Sequence, residues 1–215
     1  MSVALPPAVT RAADAAASDH NGIVGYRIVQ RSAIDGGPIH RRDEVELAAA
    51  FDGPTLLKIR VIRHVQNGSI SSDVDNAKLA TQLQQGSASG GFAVPFDRRH
   101  LSEYVYVANG GNVRFTSIRQ DANHGNGEFS VDSGGHVFEM TYAPSRLPQY
   151  AKRGTVTLQR GEVLPGFWAT LHQTQTYTGS FGFIHGAAVV NVDQSHFRHF
   201  ADQVAALAAL AAGTI

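Results

Sequence analysis

The stretch from His40 to Val65, HRRDEVELAAAFDGPTLLKIRVIRHV, sets the terms for the whole chain. Val45, Leu47, Ala49 and Phe51 alternate with Glu44 and Glu46; Asp52, Gly53 and Pro54 interrupt; then Leu57, Ile59, Val61 and Val65 alternate with Lys58, Arg60 and His64. Successive side chains of a strand point to opposite faces, so a period of two marks a strand with one apolar side. Two such runs separated by turn residues predict a hairpin, and their matching charged sides predict a sheet wetted on one face.

Upstream, Ile23 to Arg31 repeats the pattern with Val24, Tyr26 and Ile28 on one face, ending in the turn Asp35, Gly36, Gly37 and Pro38. Downstream, further strands are predicted at Glu103 to Ala108, Asn112 to Asp121, Gly127 to Asp132, His136 to Tyr142, Gly154 to Arg160, Phe167 to Tyr177 and Gly179 to Val192. The turn signals between them favour meander connections. Three segments switch to helical spacing. Pro6 and Pro7 open an N-terminal one within residues 1–21, closed by His20, Asn21 and Gly22. A middle helix runs from Asp73 to Gln85 and leads into the flexible run GSASGG, together an insertion over 73–91. In the last, residues 197–213, Phe197, Phe200, Val204, Leu207 and Leu210 share a helical face and Gly213 stands at the C-cap. The expected fold is mainly β: a single curved antiparallel sheet forming an unclosed β-barrel with N-terminal, middle and C-terminal helices, in one domain over 1–215.

Composition excludes several classes. With 215 residues the chain is long enough to bury a core without staples. Its 18 basic and 18 acidic residues cancel, so the positive field that draws proteins to nucleic acid is missing. No cysteine means no disulfide, thiolate nucleophile or zinc-thiolate site. No run of apolar residues is long enough for a spanning helix. Met1 to Ala17 lacks a signal peptide's basic start and apolar run. The expected location is therefore the periplasm or cell envelope if a leader has been removed, and the cytoplasm if Met1 is native.

No motif carries a complete catalytic signature, and no cofactor is implied. Asp193, His196 and His199 form the tightest set of ligand-type residues, but histidines three apart share a face only on a helix, so metal binding requires the last helix to begin before His196. Asp97, Arg98, Arg99 and His100, followed by Glu103 and Tyr104, read as an ion-paired turn at the sheet rim, where Arg98, Arg99 or His100 could meet a polar head group. GSASGG is not a nucleophile elbow, because it follows a helix. On a strand, the sole tryptophan, Trp168, shares a face with Thr170 and His172. Phe115, Phe129, Phe138, Tyr142, Trp168, Phe181 and Phe183 are spread over several strands, as the lining of an apolar hollow on a curved sheet would be.

The order of elements, with YRIVQR at 26–31, FDGP at 51–54, FDRRHLSEY at 96–104 and VLPGFW at 163–168, resembles the bacterial lipoprotein-carrier superfamily of LolA and LppX type. That resemblance implies an unclosed barrel with helices as a lid and acyl chains held in its hollow. The preferred expectation is a non-catalytic carrier for a lipid or other apolar small molecule, with a cavity of about 300 Å³ or more. The alternatives are a histidine and carboxylate hydrolase, which needs either three converging ligand-type side chains for metal assistance or a nucleophile and base within hydrogen-bonding reach, and a structural or interaction module.

Overall fold

A computed structural model describes residues 4–19, 22–87, 92–149, 151–181 and 184–215. In chain order the elements are α1 (Pro7–Ser18), β1 (Ile23–Gly36), β2 (Ile39–Asp52), β3 (Thr55–Gln66), β4 (Ser69–Ile70), α2 (Asp73–Ser87), β5 (Tyr104–Asn109), β6 (Asn112–Ser117), β7 (Gly125–Val131), β8 (Val137–Pro144), β9 (Ala151–Leu164), β10 (Phe167–Phe181), β11 (Ile184–Phe200) and α3 (Gln203–Ala212). The strands form one antiparallel sheet of order β4-β3-β2-β1-β11-β10-β9-β8-β7-β6-β5, which does not close into a barrel. The chain meanders outward from β1 to β4, crosses to the opposite edge through α2, and meanders back from β5. Its last strand then pairs with its first, from Ile23 opposite Phe200 to Gly36 opposite Gly186.

Register defines the two faces, because paired residues of an antiparallel ladder point the same way. One row runs Ala108, Val113, Phe129, Met140, Leu158, Gln173, Val192, Gln30, Val45, His64. This inner face is apolar from β5 to β9 and mixed where β10, β11 and β1 cross the middle. Ala8, Val9 and Ala12 of α1 and the segment around Phe96 bury the apolar end against Phe115, Phe129 and Met140. Leu79, Ala80 and Leu83 of α2 cover Val45, Leu47 and Val61 on the same face. Ser72 caps α2, accepting from the Asp75 amide at 3.2 Å while its hydroxyl donates to the Asp75 carboxylate at 2.7 Å.

The third helix lies on the other face. Leu210 and Ile215 pack on Ala48, opposite in parity to Leu47, and Arg27 donates to the Ile215 carbonyl at 2.9 Å. Asp202 caps α3 by accepting from the Ala205 amide at 2.7 Å, and Gly213 ends it at φ 73°, a left-handed position suited to glycine. Next to α3 the outer face carries a charged ladder: Arg63 and Arg31 share Glu44, and Arg31 and His172 share Asp193.

Several sequence expectations are corrected by bulges. The helical spacing of Phe197 and Phe200 is coincidental: β11 continues to Phe200, paired with β1 on both sides of one slip, and α3 begins only at Gln203. His196, at φ 58°, sits where the β1–β11 register slips opposite Tyr26. Phe197 consequently packs against Tyr26, the rings tilted by 33°, on one face, whereas Phe200 joins Leu210 on the other. Gly179 is no turn, since β10 runs through it to Phe181. A slip beside Ile62 moves His64 to the inner face and Val65 to the outer, reversing the parity read from sequence. A slip at Leu171 separates Thr170, inside, from His172, outside. His20, Asn21 and the end of GSASGG, residues 88–91, lie outside the described residues.

Candidate functional site

A cavity of about 510 Å³ opens between α1, the segment 94–99 and the inner face of β8 to β10. Its floor is Met140, Leu158, Arg160 and Thr170; Ala13, Ala16 and Ala17 form one wall, and Val94 and Phe96 the other. Pro54 reaches it from the β2–β3 turn, far from β8 in strand order, so the sheet is strongly curled at this end. The small residues of α1 create the space: a helix that presents alanine to a floor of methionine and leucine leaves room that larger side chains would occupy.

The floor ends in a buried ion pair. Asp19, which closes α1 and is 1% exposed, accepts from Arg160 at 3.2 Å and contacts His136 Nδ1 at 3.1 Å. Arg160 also lies over the Phe96 ring, and it donates to the carbonyls of Val137 at 3.3 Å and Trp168 at 3.4 Å. Burial pulls the guanidinium below its ordinary value, and Asp19 opposes that shift. The pair bolts α1 to the sheet.

At the mouth stand Arg98, paired with Asp14, and Arg99, which forks onto Asp97 at 2.6–3.1 Å. The Arg99 hydrogen bond holds the Asp97 carboxyl below its usual range. A guanidinium has five N–H donors, so each exposed arginine keeps donors for an anionic or polar group at the rim. Both line the cavity. His100 turns away instead, its Nδ1 2.8 Å from Glu103.

The aromatic set divides. Phe115 and Phe129 are fully buried in packed core beneath α1 and leave no hollow there. Tyr142 stacks on Phe92 at 4.1 Å and lines a smaller hollow of about 260 Å³ with Val156 and Tyr177. Phe138 is 42% exposed because a bulge opposite Val131 turns it outward. Trp168 is half-buried and stacks on His136 at 4.4 Å, beside the ion pair, and does not line the cavity. Phe183 and the Phe181 side chain lie outside the described residues. Met140 and Leu158 were not singled out in the sequence, and the α1 alanines read there only as one face of a helix, because ordinary core residues carry no distinguishing signal.

Asp193, His196 and His199 lie on a strand. Asp193 is engaged by Arg31 and His172, His196 contacts Ser195, and His199 meets the Phe167 ring. Among the described residues no three His, Cys, Asp or Glu side chains converge as metal ligands. Among the described residues one Ser–His–Asp relay does match a nucleophile and base: Ser71 Oγ is 2.9 Å from His64 Nδ1, and His64 Nε2 is 2.7 Å from Asp43. The bulge at Ile62 creates it by bringing His64 inside.

No family model matches this sequence, and no curated protein does. Similar solved structures include a Vibrio parahaemolyticus domain described as an outer membrane lipoprotein-sorting protein, at 10% identity and TM-score 0.45 over 96% of this chain and 97% of that one. Another is a DUF1329 family protein from Desulfovibrio piger, at 13% identity and TM-score 0.39 over 90% and 92%. Lipovitellin matches at 10% identity and TM-score 0.37, over 88% of this chain and 27% of its own. Among the described residues no helix is long and apolar enough to cross a membrane.

Proposed function

We propose that this chain is a single-domain, non-catalytic carrier that holds an apolar small molecule, with a lipid acyl chain as the fitting class, in the cavity beneath α1. The observation that carries the reading is the cavity itself: about 510 Å³, floored by Met140 and Leu158, walled by alanines and rimmed by Arg98 and Arg99. Pockets of roughly 300–1,000 Å³ with apolar walls and a few polar groups are the usual shape of small-molecule sites. The tail would lie along Leu158 and Met140 and the head group would meet the rim arginines. Such a protein would work at the cell envelope, in the periplasm, where acyl chains must be moved through water.

The test is fluorescence titration with cis-parinaric acid, comparing the parent protein with Ala16→Trp, which fills the cavity from the half-buried wall of α1. Binding by the parent and its loss in the variant are expected. A parent that takes up no probe, or a variant that binds equally well, overturns the proposal.

The Ser71–His64–Asp43 relay favours a second reading, a serine hydrolase. Labelling of Ser71 by a fluorophosphonate, abolished by His64→Ala, would establish it. An unlabelled folded protein removes it.

A further inference from the structure

His124 sits between two carboxylates: its Nδ1 is 2.6 Å from Asp121 and its Nε2 3.1 Å from Glu103, with the side chain only 4% exposed. Carboxylates accept and do not donate, so both contacts are hydrogen bonds only when both ring nitrogens carry protons, that is, when the imidazole is a cation. The surroundings extend the chain of charges. Glu103 also holds His100 at 2.8 Å and Arg119 at 3.1 Å, and the Tyr104 ring lies 5.7 Å from the imidazole. Burial keeps the Tyr104 hydroxyl protonated.

This cluster grips the cavity wall at both ends. The Asn123 carbonyl, adjacent to His124, accepts from the Ala93 amide at 2.7 Å, and the Tyr104 hydroxyl donates to the Ala93 carbonyl. At the other end, Glu103 binds His100, whose amide donates to the Asp97 carbonyl at 2.9 Å. Between these anchors run Val94, Phe96, Arg98 and Arg99, the wall and rim of the cavity.

We propose that His124 is a proton-dependent strut: protonated, it ties Asp121 to Glu103 and holds the segment 93–99 closed over the cavity; on losing its proton it releases that wall and the bound ligand. The gating rests on the carrier reading, whereas the strut is a property of the unliganded protein. Loss of the proton leaves one ring nitrogen facing a carboxylate, lone pair against lone pair, with the imidazole itself buried.

The sign follows from the shifts. Burial lowers the His124 value, but the hydrogen bonds it donates to Asp121 and Glu103, with the attraction of their charges, outweigh that and leave the net value raised above 6.5. The strut is therefore fully present below 6.5 and lost as pH rises through the folded-state value. His124 is the first cause holding both Glu103 and Asp121 below the usual carboxylate range, so on the acid side the strut fails only when those groups protonate. The wall is closed at mildly acidic pH and opens toward alkaline pH.

The experiment follows the His124 ring proton and the Ala93 amide by NMR in the unliganded chain from pH 5 to 9, alongside cis-parinaric acid titrations across the same range. The two resonances are expected to titrate together with a midpoint above 6.5, and probe affinity to fall by up to about tenfold per pH unit beyond it, the limit for one coupled proton. Asp121→Asn keeps an accepting oxygen but removes a charge, so it should shift the midpoint and the affinity loss down together. His124→Gln, which cannot gain or lose a proton, should leave the Ala93 amide without a titration, and Asp121→Asn carries the test if that variant does not fold. A midpoint at or below 6.5, or an Ala93 amide indifferent to it, overturns the strut. Coupled titration with pH-independent affinity overturns the gate alone, and absence of probe binding at every pH overturns the carrier reading while the strut survives.

Discussion

Replacing Asp19 with alanine leaves the Arg160 guanidinium buried without its carboxylate, and the cost can be worked from the geometry. Both side chains are nearly inaccessible, at 1% and 5% exposure, and Arg160 has two carbonyls as its remaining hydrogen-bond partners. Breaking a buried pair by removing one partner costs about 3–5 kcal/mol. Asp19 caps the C-terminal end of α1, where a negative charge opposes the helix dipole, so its removal returns about 0.3–1 kcal/mol. The net loss is about 2–4.7 kcal/mol, or roughly 4–19 °C in melting temperature for a chain of this size. Urea unfolding followed by Trp168 fluorescence measures it, because that tryptophan is the sole one and stacks on His136 beside the pair. The control is Asp19→Leu combined with Arg160→Met, which replaces the pair with apolar groups and should be more stable than Asp19→Ala. A loss under about 1 kcal/mol in the single variant, or a double variant less stable than it, refutes the argument that charge desolvation fixes α1 to the sheet.

Two further predictions probe register. Phe129→Ala should cost about 3–5 kcal/mol because the ring is fully buried between Val113 and Met140, whereas Phe138→Ala should stay within about 0.5 kcal/mol. Equal losses in thermal or chemical denaturation would place the bulge elsewhere. Gly127→Ala should destabilise by about 1–3 kcal/mol, since a Cβ there would lie 2.0 Å from the Thr141 carbonyl oxygen, a backbone atom with little freedom to move. An unchanged denaturation midpoint would contradict the close β7–β8 approach.

The amino-acid sequence alone determined what depends on neighbours a few positions away. Alternation in β1, β2 and β3, the turns after Asp35 and Asp52, the α2 boundaries near Asp73 and the Gly213 cap were all legible, because pleating, turn geometry and capping act locally. Arg98 and Arg99 stood out in the sequence only as charges beside a turn. Tertiary structure decided whatever depended on pairing between distant strands. β11 stays a strand through Phe197 because β1 offers it a ladder, and that overrides a helical pattern. Single-residue slips at Ile62, Phe138 and Leu171 reverse side-chain parity, since a period of two cannot absorb an extra residue without changing face. The same reasoning explains the site: Phe115 and Phe129 became filled core and the alanines of α1 made the hollow, because the space left between two elements depends on how closely they pack, which no single segment encodes.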